Sequence, residues 1–172
     1  MALTVADIAD LIRRPEVKTA AVVERLRAWT DLGLLEPEGD PNPGTGIKRM
    51  YDDDIVYRAA VLNALADAGL PIGKQRHAVV VLFVAERAKA AWAKKRRGGL
   101  FMEVCDFGDP DHQGGRHAVF LREANKAREH LGNVIHPRAD SAVVLNISRL
   151  FARIESRRAE RGKAIGKGSE RG

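Results

Sequence analysis

Cysteine is almost missing from this chain: of 172 residues only Cys105 is one. A single thiol excludes an internal disulfide and any metal cage built from cysteine alone. Long apolar runs are missing too. The longest, Ala78 to Ala85, is far shorter than a bilayer span requires. The first ten residues, MALTVADIAD, lack the basic and apolar regions of a secretory signal, so the expected location is cytoplasmic. Also absent are a phosphate-binding Walker loop, a dinucleotide fingerprint, a paired-histidine zinc motif and a nucleophile elbow. An enzyme is therefore the least supported reading, with no catalytic residue, metal or cofactor expected.

The chain does have apolar substance and positive charge. At 45% apolar it can bury a core for one domain or two small ones. Lys and Arg number 29 against 23 Asp and Glu, a net charge of +6, which favours a polyanionic partner. The surplus lies in Lys94 to Arg97 and in the tail after Ser148, whereas residues 1–50 hold seven basic and eight acidic side chains. Nucleic acid contact by the N-terminal part would thus need a few cations oriented on one face.

The stretch Val17 to Leu35 organises the rest. Ala20, Val23, Leu26 and then Trp29 or Thr30 recur at three- and four-residue spacing, giving an amphipathic helix. Asp31 and Gly33 supply its stop. Before it, Thr4 reads as an N-cap, with Asp7 in place of the usual glutamate of a capping box. Val5, Ile8, Ala9 and Ile12 form the stripe of a first helix that ends near Pro15. Residues 36–45, EPEGDPNPGT, cannot form a regular element, and Ile47 to Tyr51 reads as a returning strand. A third helix runs from about Asp53 to Ala68, closed by Gly69, with Asp52 to Asp54 suited to its positive dipole end.

In order, Ile8-Ala9, Leu26-Arg27-Ala28-Trp29, Leu32-Gly33-Leu34-Leu35, Arg49-Met50-Tyr51 and Gly69-Leu70-Pro71-Ile72 resemble the MerR-type winged helix-turn-helix. The resemblance covers Thr4 to about Gln75. Ala28 stands where the family has an aromatic residue, and the wing is long and proline-rich. The resemblance implies double-stranded DNA as partner. A reading helix needs base readers near its start and cations on its flanks. Those candidates are Lys18 and Thr19, with Arg14 close by, then Arg25 and Arg27 on the flanks. The wing offers Lys48, Arg49 and the Tyr51 hydroxyl.

Beyond the head, the β-branched run at residues 78–85 sits between helix-friendly flanks, which predicts one long helix over 73–97. In MerR-like proteins such a helix pairs with its copy as an antiparallel coiled coil, implying a homodimer. Burial against the chain's own C-terminal part is the alternative. Gly98-Gly99 reads as a hinge. Strands over 100–107 and 117–121, a helix over 122–131, a strand over 141–147 and a helix capped by Ser148 follow, in the order ββαβα. The expected organisation is α+β and mainly helical. It comprises a head over 1–71, the linking helix over 72–97, a small unit over 98–161 where an effector or protein partner would act, and a disordered basic tail over 162–172. Cys105, Asp106, Asp109, Asp111, His112 and His117 crowd together, but turn-forming sequence accounts for most of them.

Three functions follow from these readings. The first is a dimeric, sequence-specific transcriptional regulator. The second is a DNA-bending architectural protein resembling excisionases. The third is a protein-interaction module whose tail alone touches nucleic acid.

Overall fold

The structure, a computed structural model, describes residues 2–40, 44, 46–70, 72, 76–94, 99–106, 117–124 and 141–169. Five helices and two sheets make up these residues, an α+β arrangement dominated by helix.

Strand β1 (Leu3–Thr4) leads directly into α1 (Val5–Ile12). The Thr4 hydroxyl accepts from the Asp7 N–H while the Asp7 carboxylate accepts from the Thr4 N–H at 2.8 Å, a complete capping box. Ile8, Ala9, Leu11 and Ile12 are buried. A turn containing Pro15 leads into α2 (Thr19–Asp31). Its buried stripe is Val22, Leu26, Trp29 and Thr30. Ala20, expected in that stripe, is exposed. Once Val22 and Leu26 set the inward direction, a residue two before Val22 lies about half a turn away.

Gly33 ends α2 with φ +72°. Its N–H reaches the Thr30 carbonyl at 2.9 Å and that of Leu34 reaches Trp29 at 2.8 Å, the doubled bond of a Schellman stop. Gly69 closes the third helix in the same way, with Gly69 N–H on Ala66 and Leu70 N–H on Leu65.

Strand β2 (Met50–Tyr51) pairs antiparallel with β1, Leu3 opposite Tyr51, and Met50 also bridges to Glu38. Ile47 to Arg49, expected in this strand, precede it as irregular backbone. Helix α3 (Ile55–Asp67) is buried at every position from 55 to 65 except Arg58. The three aspartates ahead of it divide their tasks. Asp52 accepts the Asp54 N–H, Asp53 pairs with Arg158, and Asp54 pairs with Lys89.

Helix α4 (Arg76–Lys94) contains the run 78–85, confirming helix over strand. Side chains of 76–84 lie outside the described residues. From there on, Ala85 and Ala88 are fully buried, and α4 packs on α3 and the second sheet. That sheet has the order β4-β3-β5, from β3 (Gly99–Asp106), β4 (His117–Ala124) and β5 (Ser141–Asn146), all antiparallel. Gly99 belongs to β3 and residue 98 lies outside the described residues. Residues 122–124, expected to begin a helix, continue β4. The rest of that expected helix lies outside the described residues, as does the connection at 108–115.

Helix α5 (Ile147–Ser169) follows β5 without a break. Its cap is Asn146, whose Oδ1 accepts the Arg149 N–H at 2.9 Å. Ser148 was the expected cap, but its hydroxyl accepts the Leu100 N–H instead. Residues 162–169, expected to be disordered, extend α5. Extension adds one bond per residue once a helix is anchored, and Ile147, Leu150, Phe151 and Ile154 anchor this one. The first three expected units share one core, continuous from Leu3 and Ile8 through Leu62 and Ala88 to Met102 and Phe151. Phe151 packs at 4.9 Å from Tyr57 and 5.8 Å from Trp92, joining α5 to α3 and α4. No helix among the described residues is long and apolar enough to cross a membrane.

Candidate functional site

Packing the inner face of α2 against α1 and α3 leaves the opposite face in solvent. Lys18, Ala20, Ala21, Glu24, Arg27, Ala28 and Asp31 are exposed there. Alanine at three of these positions allows close approach to a broad partner, and small apolar groups suit thymine methyls. Lys18 is the N-cap residue of α2 and makes no side-chain cap bond. Part of the first-turn N–H set is therefore open to an outside acceptor.

Beside this face lies a cleft of about 650 Å³, lined by Thr4, Val5 and Ala6, by Val23, Arg27 and Asp31 of α2, and by Gly46 to Arg49. The β1–β2 pairing makes it. It brings the loop before Met50 back across the start of α1, and Tyr51 fixes the other end. Thr30 donates its hydroxyl proton to the Leu26 carbonyl at 2.9 Å, so the Tyr51 hydroxyl, 2.8 Å away, donates to Thr30.

The eight residues named from the sequence separate into four groups. Arg27, Lys48 and Arg49 meet at the cleft. Arg27 pairs with Glu24 at 2.7 Å and Arg49 with Asp31 at 3.0 Å, both on exposed carboxylates. Such surface pairs contribute about 0–1 kcal/mol, so a phosphate can displace the carboxylate at small loss. Lys18 and Thr19 stand at the start of α2, with the Thr19 hydroxyl 3.5 Å from Asp10. Arg14 and Arg25 converge elsewhere, on Asp67 of α3, whose side chain is only 7% exposed. Arg25 also donates to Asn63. Tyr51 is a correction: it is 1% exposed, its hydroxyl satisfied inside. Its alternation with the half-buried Met50 directs it to the core.

Sequence reasoning missed the exposed alanines and Ile47, which is 64% exposed at the lip of the cleft. It missed the support from α5 as well. Arg157 donates to the carbonyls of Asp10, Leu11 and Arg13 at 3.3, 2.9 and 2.7 Å, where α1 ends and its dipole is negative. Arg158 bonds the Asp53 carbonyl, and Arg161 pairs with Asp7. Burial alone would raise the Asp7 pKa, but the hydrogen bonds from Arg161 and Thr4 outweigh it and hold it at about 2. Burial and the bond to Glu155 push the Tyr57 hydroxyl well above the ordinary tyrosine range. At these separations in sequence no local pattern signals the contacts.

Of the crowded Cys and acid stretch, Cys105 is fully buried, with Sγ 3.1 Å from the buried Glu103. Asp109, Asp111 and His112 lie outside the described residues. Among the described residues no group of three His, Cys, Asp or Glu is placed to hold a metal.

Two short helices joined by a turn, the second with its outer face in solvent beside a returning loop, define a helix-turn-helix head. Residues 18–79 match the family model described as MerR HTH family regulatory protein. Over these residues, less than half of the chain, the head is similar to the MerR helix-turn-helix family, and the match runs from the start of α2 into α4. Similarity to this family suggests DNA-binding transcription regulation. No curated protein matches the chain.

Proposed function

We propose that the protein is a sequence-specific regulator of transcription that acts as a dimer on double-stranded DNA. In this reading α2 enters the major groove with Lys18 and Thr19 foremost, Ala20 and Ala21 against base edges, and Arg27 on phosphate. The loop ending in Lys48 and Arg49 acts as the wing on the adjoining backbone. Arg14 and Arg25, held on Asp67, stiffen the junction of α2 with α3 and reach the backbone only by exchanging that carboxylate for phosphate. The observation that carries this reading is the gathering of Arg27, Lys48 and Arg49 around one cleft beside the exposed, alanine-rich face of α2.

The dimer comes from the resemblance: one head offers one reading helix, and two heads on a two-fold axis would read half-sites about 34 Å apart or a multiple of that. From Ala85 onward α4 packs Ala85 and Ala88 into its own chain's core, so such a dimer would use the exposed face of α4 or another surface.

Selection of bound duplexes from a random library at two salt concentrations tests the whole reading. Enrichment of a two-fold symmetric motif is the expected result. Binding with a steep salt dependence and no enriched motif would favour the architectural protein instead. No binding even at low salt would end the DNA reading.

A further inference from the structure

Helix α5 carries arginine at every fourth position through its middle: Arg149, Arg153, Arg157 and Arg161. That spacing keeps all four on one face. Two of them have their partners, Arg157 on three carbonyls at the end of α1 and Arg161 on Asp7. The other two continue the ladder past α1 toward the α1–α2 turn. Arg149 is exposed. Arg153 is half-buried, and its Nε is shielded from solvent with no hydrogen-bond acceptor among the described residues. Burial, and after it the charges of Arg157, Arg14 and Arg149, push the Arg153 pKa below its ordinary value, with Glu16 opposing them. Arg14 is already engaged by Asp67, and Arg13 faces Asp10 at 3.6 Å.

Like charges four residues apart on a helix repel one another, and a guanidinium nitrogen buried without an acceptor is unfavourable. A run of closely spaced acceptors carrying negative charge relieves both at once, and a DNA strand offers such a run in its phosphates. The cluster adjoins the turn that delivers Lys18 and Thr19 to the start of α2, so a duplex lying against α2 has its backbone close to hand. Resting on the DNA-binding reading of the head, we infer that Arg149 and Arg153 form a second DNA contact. They grip the phosphate backbone beside the groove that α2 enters, with Arg13 and Arg14 alongside. Such contacts add affinity and salt dependence and carry no base preference.

The test is a salt titration of full-chain binding to a long mixed-sequence duplex, comparing the natural protein with the R149Q/R153Q variant. The expected result is a slope of log K against log salt shallower by roughly two, with the motif selected from a random library unchanged. Should the double variant melt early, R149Q alone, at an exposed position, is expected to flatten the slope by roughly one. An unchanged slope in a folded variant would overturn the inference while leaving the head's DNA binding intact, and would point to an acidic protein surface as the occupant. Failure of the natural protein itself to bind duplex would overturn both.

Discussion

Arg27 on α2 and Arg157 on α5 show how differently one residue type is used in one small protein. Arg27 stands 59% exposed, holding a carboxylate three residues away that is itself 70% exposed. Arg157 reaches across 144 to 147 residues of sequence to three main-chain carbonyls that end a helix. The first interaction is weak and exchangeable, and the second satisfies acceptors with no partner inside their own helix. Charge alone does not separate a solvent-facing arginine from a structural one; what it bonds to, and how exposed that partner is, does. The head is therefore built in two layers, a solvent face that can trade partners and an inner side braced by α5.

The comparison breaks first at the brace. Phe151→Ala removes the ring shared by α3, α4 and α5 and is expected to lower unfolding free energy by about 3–5 kcal/mol, read by urea denaturation, with one transition because the core is continuous. Arg157→Met keeps the stem and deletes the charge. It is expected to destabilise by about 2 kcal/mol and lower the melting temperature, and a change within about 0.5 kcal/mol would refute the brace.

A smaller effect sharpens the contrast at the start of α1. Thr4→Ala removes half of the capping box and is expected to lower stability by about 1 kcal/mol. Its partner Asp7 has a folded pKa of about 2 against an ordinary 3.8. A depressed carboxylate stabilises the fold above its unfolded value and loses that contribution as pH falls through the folded one. The gap in melting temperature between the natural protein and Asp7→Asn is therefore expected to stay constant above pH 3.8 and to close as pH approaches 2. A gap that persists at pH 2 would show that Asp7 acts through packing instead.

Much of the head could be read in the sequence because its signals are local. Thr4 and Asp7 sit three apart at a helix start, Gly33 and Gly69 occupy positions that require positive φ, and the stripe of α1 follows helical spacing. Where two local signals competed, reading failed. Asn146 and Ser148 are both good caps, and the length of β5 chose between them. Ala20 suits either face of α2, and only the packing of Val22 and Leu26 turned it outward. The role of α5 was not legible, since Arg157, Arg158 and Arg161 look like an ordinary solvated run until the fold sets them against α1 and α3. The single core across the expected units was hidden for the same reason: Phe151 meets Tyr57 and Trp92 only in three dimensions.

The most direct test of the central claim is duplex binding by the natural protein and by the Arg27→Ala/Arg49→Ala variant across a salt series. The account predicts a variant that melts within a few degrees of the natural protein, binds at least tenfold more weakly and has a salt slope shallower by roughly two. Equal affinity and an equal slope in the folded variant would contradict it, and would move any DNA contact away from the cleft between α2 and its returning loop.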